Sequence, residues 1–484
     1  MISRIFWSVV SGYLLTKSYT SSFWYLAILS FVILIWLLDR NTQKNRIFIL
    51  TIFAIVSFSP QLIWMKVIGP DAWILVTLLC VLVWPLLGLI QVSRSQFSSI
   101  VIFGSGVVVG EAIRSHIPFG GFPWSLIAYS QVDGPLAPLA KIGSSSLVSF
   151  SVIAVAGLIL QLFSRKFVSR ATLLIVLTIL VTNIPIIAAK DSIKLVAIQG
   201  NVPRLGLDLG AQRRAVLNNH LNLTNQYLAQ TESVDRADLI IWPESSTDID
   251  PLTNREVAQD ISQLVDRGGV PILVGATTRG DNPKGPRNSG IFWTENGPTD
   301  IYTKNNLVPF GEYIPFRQIL SEYIDRIALV PNDYIPGTQL GLFEVGNTIF
   351  GDVICFEIAF GDYVRQVVNS GAQFLTVQTN NATYGKTDQP EQQFTISRFR
   401  AIEHQRAIIV ASTSGISGAI DQNGVVLAKT GQFEPAIVQV DLPVVNQRSF
   451  SDRFPRWATI IAFLIVFGSI VKRGRKLIRL GTIS

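Results

Sequence analysis

The chain has 484 residues, a formal net charge of +7 and 49% hydrophobic residues. That apolar content excludes an ordinary soluble protein, because it is concentrated before residue 190 and again near the C-terminus, around a segment of globular composition. A basic balance can mark a nucleic-acid binder, but here lysines and arginines sit in short loops beside apolar runs, and no nucleic-acid partner is expected.

A membrane-spanning helix needs about 20 largely apolar residues. Runs that qualify lie near 5–20, 22–38, 46–65, 72–91, 97–113, 144–163, 171–189 and 456–471. Another apolar run follows the first at once, with no small-residue cleavage site, so the first is read as a span and not as a signal peptide. With Arg4 in the cytoplasm, the loops on that side carry Arg40, Lys44 and Arg46, then Arg94, then Arg165, Lys166 and Arg170. The tail adds Lys472, Arg473, Arg475, Lys476 and Arg479, whereas the opposite loops are poorer in basic residues. The expected organisation is a bundle of about seven spans over 1–190, an extracytoplasmic catalytic domain over 191–445, and a final span with a basic tail over 446–484. Both termini then lie in the cytoplasm. Within one span, 106–110 (GVVVG) is a small-xxx-small pattern that lets helices approach closely. Glu111 and Arg114 follow it and are read as structural ionic groups at a span end.

The globular segment reads as α/β. Strand patterns occur at 194–199, 238–242, 271–275, 290–294, 301–304, 348–354, 374–378, 407–411, 425–427 and 437–440. Helical patterns cover 211–231 and 260–266, and Asn296-Gly297 marks a hairpin turn. Strands alternating with helices, with hairpins among them, imply a mixed sheet covered by helices, in two packed layers.

Several chemistries are disfavoured. The three histidines, His116, His220 and His404, form no metal-ligand motif, and no cofactor need is evident. There is no GxSxG elbow for a serine hydrolase and no phosphate-cradling GxxxxGK loop. The two cysteines, Cys80 and Cys355, lie far apart, one in an apolar run and one in the globular part, so a disulfide framework is not expected.

Carboxylate, amine and thiol remain. Glu244 follows the buried strand pattern 238–242 directly after Pro243; Lys304 ends a strand pattern, with Glu312 eight positions later; Cys355 ends the pattern 348–354, followed by Phe356 and Glu357. A thiol attacks a carbonyl best as thiolate, yet its free pKa is about 8.5, so a carboxylate is needed to take its proton. An ammonium and a backbone N–H can then stabilise the oxyanion. Strand ends sharing one edge of a sheet would bring the three together. Each residue alone has a bland reading, as a capping glutamate, a solvated lysine or a core cysteine, but the ordered combination is specific.

At these residues the chain resembles the nitrilase, or carbon–nitrogen hydrolase, superfamily. That resemblance implies a Glu–Lys–Cys triad and an α-β-β-α sandwich. The whole chain more closely resembles the apolipoprotein N-acyltransferase family, in which such a domain is joined to a multi-span α-helical membrane bundle. The likeness is carried by 121–124 (GFPW), 199–203 (QGNVP), 307–315 (LVPFGEYIP), 398–403 (RFRAIE) and 412–417 (STSGIS). It implies Glu244 as general base, Cys355 as nucleophile and Lys304 as oxyanion stabiliser. Glu312 is then a second active-site carboxylate supporting Lys304, and Glu357 supports substrate or loop contacts. Phe356 stands where the family often has Tyr, keeping the ring and losing the hydroxyl. Two further departures are 204–208 (RLGLD) and 380–384 (NNATY), where the family often has Trp.

The resemblance implies a two-step exchange in a bacterial plasma membrane. Cys355 takes an acyl chain from a phospholipid of the bilayer, and the α-amine of a diacylglyceryl-cysteine on a lipoprotein then takes it from the thioester. Apolar residues after Lys304 (Ile314, Phe316, Ile319, Leu320, Tyr323, Ile324, Ile327, Leu329 and Val330) form either a lid dipping into the outer leaflet or an ordinary core helix. The same triad would serve a membrane-tethered amidase or nitrilase, and a non-catalytic membrane scaffold is a third reading.

Overall fold

The computed structural model describes residues 2–20, 22–162, 181, 183–185, 187–189, 191–202, 214–281, 284–322 and 332–481. The chain divides into two compact units, Met1–Pro185 with Ser449–Ser484, and Ile186–Arg448.

The first unit is helical. Among the described residues, four stretches are long and apolar enough to cross a membrane: Pro70–Leu87, Phe97–Arg114, Ala137–Leu162 and Trp457–Arg475. Tyr25–Leu38 is apolar but shorter. Helix Ile2–Ser18 buries mainly small and polar residues (Ser8, Ser11, Gly12 and Ser18), whereas Gln43–Gln61 carries polar residues at both ends and buries Ile49, Leu50, Phe53 and Phe58 between them. Ser11 Oγ donates to Ser30 O at 2.8 Å, and Ser30 Oγ returns a bond to Ser11 O at 2.7 Å. A β-carbon on Gly12 would stand 2.7 Å from Phe53 O, so the glycine is what lets these helices close on each other. The 106–110 pattern works the same way: a β-carbon on Gly110 would stand 2.4 Å from Val83 Cγ1. Glu111 accepts from Ile127 N at 2.7 Å, and Arg114 donates to Phe122 O at 2.8 Å and Trp124 O at 2.6 Å. The pair fastens the 121–127 segment, a structural use. The expected span at 171–189 lies almost wholly outside the described residues, as do Arg165, Lys166 and Arg170.

The second unit is an α-β-β-α sandwich. Its strands are β1 (Asp191–Gln199), β2 (Leu239–Ile241), β3 (Ile272–Asp281), β4 (Lys284–Thr294), β5 (Gly297–Thr303), β6 (Leu342–Val345), β7 (Thr348–Ile354), β8 (Phe374–Thr379), β9 (Ile408–Ser412), β10 (Gly418–Ile420), β11 (Val426–Lys429) and β12 (Ala436–Val444). One sheet runs β12-β1-β2-β3-β4-β5 and the other β11-β10-β9-β8-β7-β6. Each has a parallel centre, β1-β2-β3 and β7-β8-β9, with antiparallel strands outside it. The central strands are buried on both faces and so read as continuous apolar runs.

Helices Ala215–Gln230 and Arg255–Gly268 cover the first sheet, where Leu217, Tyr227, Ile261 and Leu264 pack with Val196, Ile240, Trp242 and Val274. Helices Gly361–Asn369 and Gln389–His404 cover the second. The sheets face each other through polar as well as apolar contacts: Gln378 Nε2 donates to Trp242 O at 2.6 Å, and Ser417 Oγ donates to Gln199 Oε1 at 2.7 Å. Sequence patterns missed β6 and β10, both very short, and the second sheet's two helices.

Candidate active site

Three strand ends supply the cluster, from two sheets and not from one edge as the sequence reading supposed. Glu244 follows β2 and Lys304 follows β5 in the first sheet, whereas Cys355 follows β7 in the second. The sandwich joins them because β2 and β7 end on the same side of the interface. Ser245 and Cys355 both take positive φ, +53° and +54°, where the chain leaves its strand abruptly. Such backbone is costly for a residue with a β-carbon and persists only where its surroundings impose it.

Lys304 is 1% exposed. Its Nζ donates to Glu244 Oε1 at 3.2 Å and to Glu312 Oε1 at 2.9 Å. Burial opposes its charge, but the two carboxylates outweigh burial and hold the ammonium well above the ordinary lysine range. Asn288 of β4 spans the same pair, donating from Nδ2 to Glu244 at 2.6 Å and to Glu312 at 2.8 Å. The remaining oxygens are also engaged: Asn380 N donates to Glu244 Oε2 at 2.7 Å, and Val308 N to Glu312 Oε2 at 2.7 Å. Two buried carboxylates thus share one buried ammonium and four N–H bonds from a side-chain amide and the main chain.

Cys355 is buried and receives a hydrogen bond from Thr379 Oγ1 at 3.3 Å. Burial pushes its thiol up to about 12, and the charge of Glu244 adds to the rise, against Lys304 and the Thr379 hydroxyl. The resting sulfur is therefore a thiol within electrostatic reach of both a base and a cation. A network holds Thr379 in turn: Gln393 Nε2 donates to its hydroxyl at 3.0 Å, and Asn381 Nδ2 donates to Gln393 Oε1 at 2.7 Å.

Glu357 is fully buried and ties the two loops together. Its Oε1 accepts from Asn305 N at 2.8 Å and Asn306 N at 2.9 Å; its Oε2 accepts from Ile354 N at 2.9 Å and Tyr302 Oη at 2.7 Å. Burial pushes its carboxyl up, and these donors work against that rise. One side chain thereby links the segment after Lys304 to the turn that carries Cys355. Phe356 turns to Phe360, edge to face, with ring centroids 5.0 Å apart.

The structure therefore gathers Glu244, Lys304 and Glu312 by direct bonds, sets Cys355 in their field, and uses Glu357 as a strut. Asn288, Thr379 and the Asn380 amide were missed by sequence reasoning. A lone Asn within a strand carries no motif, and 380–384 was read for its missing Trp and not for the Asn380 amide. Phe316 and Ile319 are 68% and 62% exposed, while Ile314 is buried. Residues 323–331, which hold Tyr323, Ile324, Ile327, Leu329 and Val330, lie outside the described residues, as do 204–208.

The carbon–nitrogen hydrolase family model matches residues 197–450, and the model of the apolipoprotein N-acyltransferase N-terminal domain matches residues 11–158. The chain is 35% identical over 381 residues to the apolipoprotein N-acyltransferase of Mycolicibacterium smegmatis, covering 71% of this chain and 62% of that protein. It is 25% identical over 376 residues to that of Shewanella oneidensis (74% and 70% covered) and 27% identical over 483 residues to that of Vibrio cholerae (92% and 91% covered). The match thus spans less than two thirds of the Mycolicibacterium protein's length. With more than half of its residues matched by one family model, the chain belongs to the carbon–nitrogen hydrolase family, and it carries the N-terminal domain of the apolipoprotein N-acyltransferases ahead of that catalytic-type domain.

Proposed function

We propose that this protein is a membrane-embedded N-acyltransferase that moves a fatty acyl chain from a phospholipid to the N-terminal amine of a diacylglyceryl-cysteine on a lipoprotein. The observation that carries the reading is one chain holding both a Glu244–Lys304–Glu312 cluster beside a buried thiol and the N-acyltransferase N-terminal domain.

In the first half-reaction Glu244 takes the Cys355 proton as sulfur attacks the ester carbonyl. The oxyanion is met by the Lys304 ammonium and the Phe356 N–H. Collapse expels the lysophospholipid alkoxide, which takes the proton from Glu244, and leaves a thioester. In the second, the acceptor amine attacks the thioester and loses a proton to Glu244, and Cys355 leaves as a thiolate that recovers a proton from Glu244. Glu312 and Asn288 hold Lys304 and Glu244 in place throughout, and Glu357 keeps the lysine loop against the nucleophile turn. Because the thiol is held up near 12 at rest, thiolate forms only as attack begins, which limits reaction with adventitious electrophiles.

The reading includes a multi-pass protein of the bacterial plasma membrane, with the domain after residue 190 outside the cytoplasm and both termini inside. Its basis is the distribution of Lys and Arg among the loops. A single cysteine placed in the tail after Arg475, labelled by a membrane-impermeant maleimide in intact cells, would reverse this orientation.

A substituted-enzyme mechanism gives parallel double-reciprocal lines when phospholipid and lipopeptide are varied together. Intersecting lines would refute the thioester route. Release of ammonia from small amides faster than acyl transfer would move the protein to the hydrolases.

A further inference from the structure

Between the two sheets, two buried oxygens lie beside the same glycine without a donor among the described residues. Asp352 of β7 is fully buried; its Oδ1 accepts from Thr376 Oγ1 at 2.8 Å, but its Oδ2 accepts from no described residue. Gln378 of β8 is equally buried. Its Nε2 donates to Trp242 O at 2.6 Å and reaches Leu273 O at 3.5 Å, whereas its Oε1 has no donor among the described residues. Those two carbonyls fix the orientation of the amide, since flipping it would set oxygen against oxygen. Both orphan oxygens converge on one point of β4: a β-carbon on Gly290 would stand 2.4 Å from Asp352 Oδ2 and 2.8 Å from Gln378 Oε1. Two buried acceptors brought this near to one point repel each other, and a proton on one of them turns that repulsion into a hydrogen bond.

We propose that Asp352 is held as the neutral acid, that its Oδ2–H donates to Gln378 Oε1 on the neighbouring strand, and that this bond is a latch: it fixes Gln378, whose amide crosses to Trp242 O of the other sheet, and so positions Glu244 against Cys355. The chain is short at both ends of the latch. Asp352 stands three residues before Cys355 on β7, and Gln378 immediately precedes Thr379, whose hydroxyl bonds the Cys355 sulfur. Through Trp242 O, Gln378 grips the strand end that carries Glu244 two residues later.

The surroundings favour the acid form. Burial is the largest influence pushing the Asp352 carboxyl up, to about 8; the Glu357 and Glu244 carboxylates push the same way, against the Thr376 hydroxyl and the Val353 amide. Glu357 faces it from the turn after β7, Glu244 from the first sheet and Tyr363 from helix Gly361–Asn369. Asp352 touches no reacting atom, so it is a positioning residue, and its role rests on Glu244 and Cys355 being base and nucleophile.

The test uses the full-length enzyme in lipid vesicles, with Asp352→Asn and Asp352→Leu. Asn can donate to Gln378 and accept from Thr376, as the neutral acid does; Leu can do neither. The infrared difference between wild type and Asp352→Asn should hold a carboxylic-acid carbonyl band at neutral pH that gives way to carboxylate bands above about pH 8. Carboxylate bands alone at neutral pH would overturn the proposal. The wild-type transfer rate should fall above about pH 8 as the acid ionises; Asp352→Asn should keep kcat within about twofold and show no such fall, while Asp352→Leu should lower kcat about tenfold at unchanged KM. Alkylation of Cys355 by iodoacetamide should change in the Leu variant alone, rising as the Glu244 charge moves off the thiol. An Asn variant as impaired as Leu, or a Leu variant with wild-type kcat and alkylation, refutes the latch. If the wild type transfers no acyl chain, the functional reading fails, yet the infrared bands and the alkylation rates still decide the latch.

Discussion

Cys355 is a thiol that its surroundings keep protonated, and this sets its reactivity. Burial, and then the nearby Glu244 charge, place its titration near 12, so the thiolate fraction at neutral pH is far smaller than for a free cysteine. The sign is definite: with the folded-state value above the unfolded one, thiolate accumulates only as pH rises toward 12. Alkylation of Cys355 by iodoacetamide is therefore expected to be more than about a thousandfold slower than for a free thiol at neutral pH, and to climb without a plateau through pH about 10. A plateau near pH 8 would contradict this account of the site. The identities Glu244, Lys304 and Cys355 were legible in the sequence because each stands at the end of an apolar run beside a motif. Asn288 and Thr379 were not, since their partners lie 44 and 24 positions away in the chain, and nothing local marks them.

The elements explain how three such residues meet. Apolar runs at 238–242 and 348–354 identified the strands, and the Asn296-Gly297 turn identified the hairpin, because buried parallel strands and tight turns have strong local signatures. Helix Gln389–His404 escaped notice for the opposite reason. It is buried nearly all round, with Gln393, Arg400, Glu403 and His404 interleaved among Phe394, Ile396, Phe399 and Ile402, so its sequence shows no apolar stripe set against a polar face. Arg400 is satisfied there by Ile358 O at 3.1 Å, Ala359 O at 2.6 Å and the Glu403 carboxylate. That arrangement braces the turn after Cys355, and it exists only once the second sheet has formed. Close packing of strands also fixes Glu244. A β-carbon on Gly275 of β3 would stand 2.1 Å from Pro243 O and 2.8 Å from Glu244 Cα. Gly275→Ala must therefore displace the backbone that carries Glu244. We expect transfer to fall about a hundredfold while circular dichroism stays that of the wild type. An alanine variant with full activity would show that Glu244 need not be held this tightly.

At the scale of the whole molecule, the split between an apolar helical unit and an α/β sandwich was readable from composition, because membrane helices and mixed sheets demand such different residues. Membrane character was less evident in helix Ile2–Ser18, where serine and glycine replace bulk apolar side chains at contacts between helices. The assignment of Glu244 and Cys355 to opposite sheets was beyond sequence patterns, which give strands but not their partners. The claim that unites both units is a covalent acyl-enzyme formed from membrane lipid. It is tested most directly by intact-protein mass spectrometry of the purified full-length enzyme after incubation with phospholipid alone, with Cys355→Ala in parallel. The account predicts one added fatty-acyl mass on the wild type, absent from the variant and discharged by a diacylglyceryl-cysteine peptide. An unmodified wild-type mass, from a preparation that nevertheless hydrolyses small amides, would contradict it.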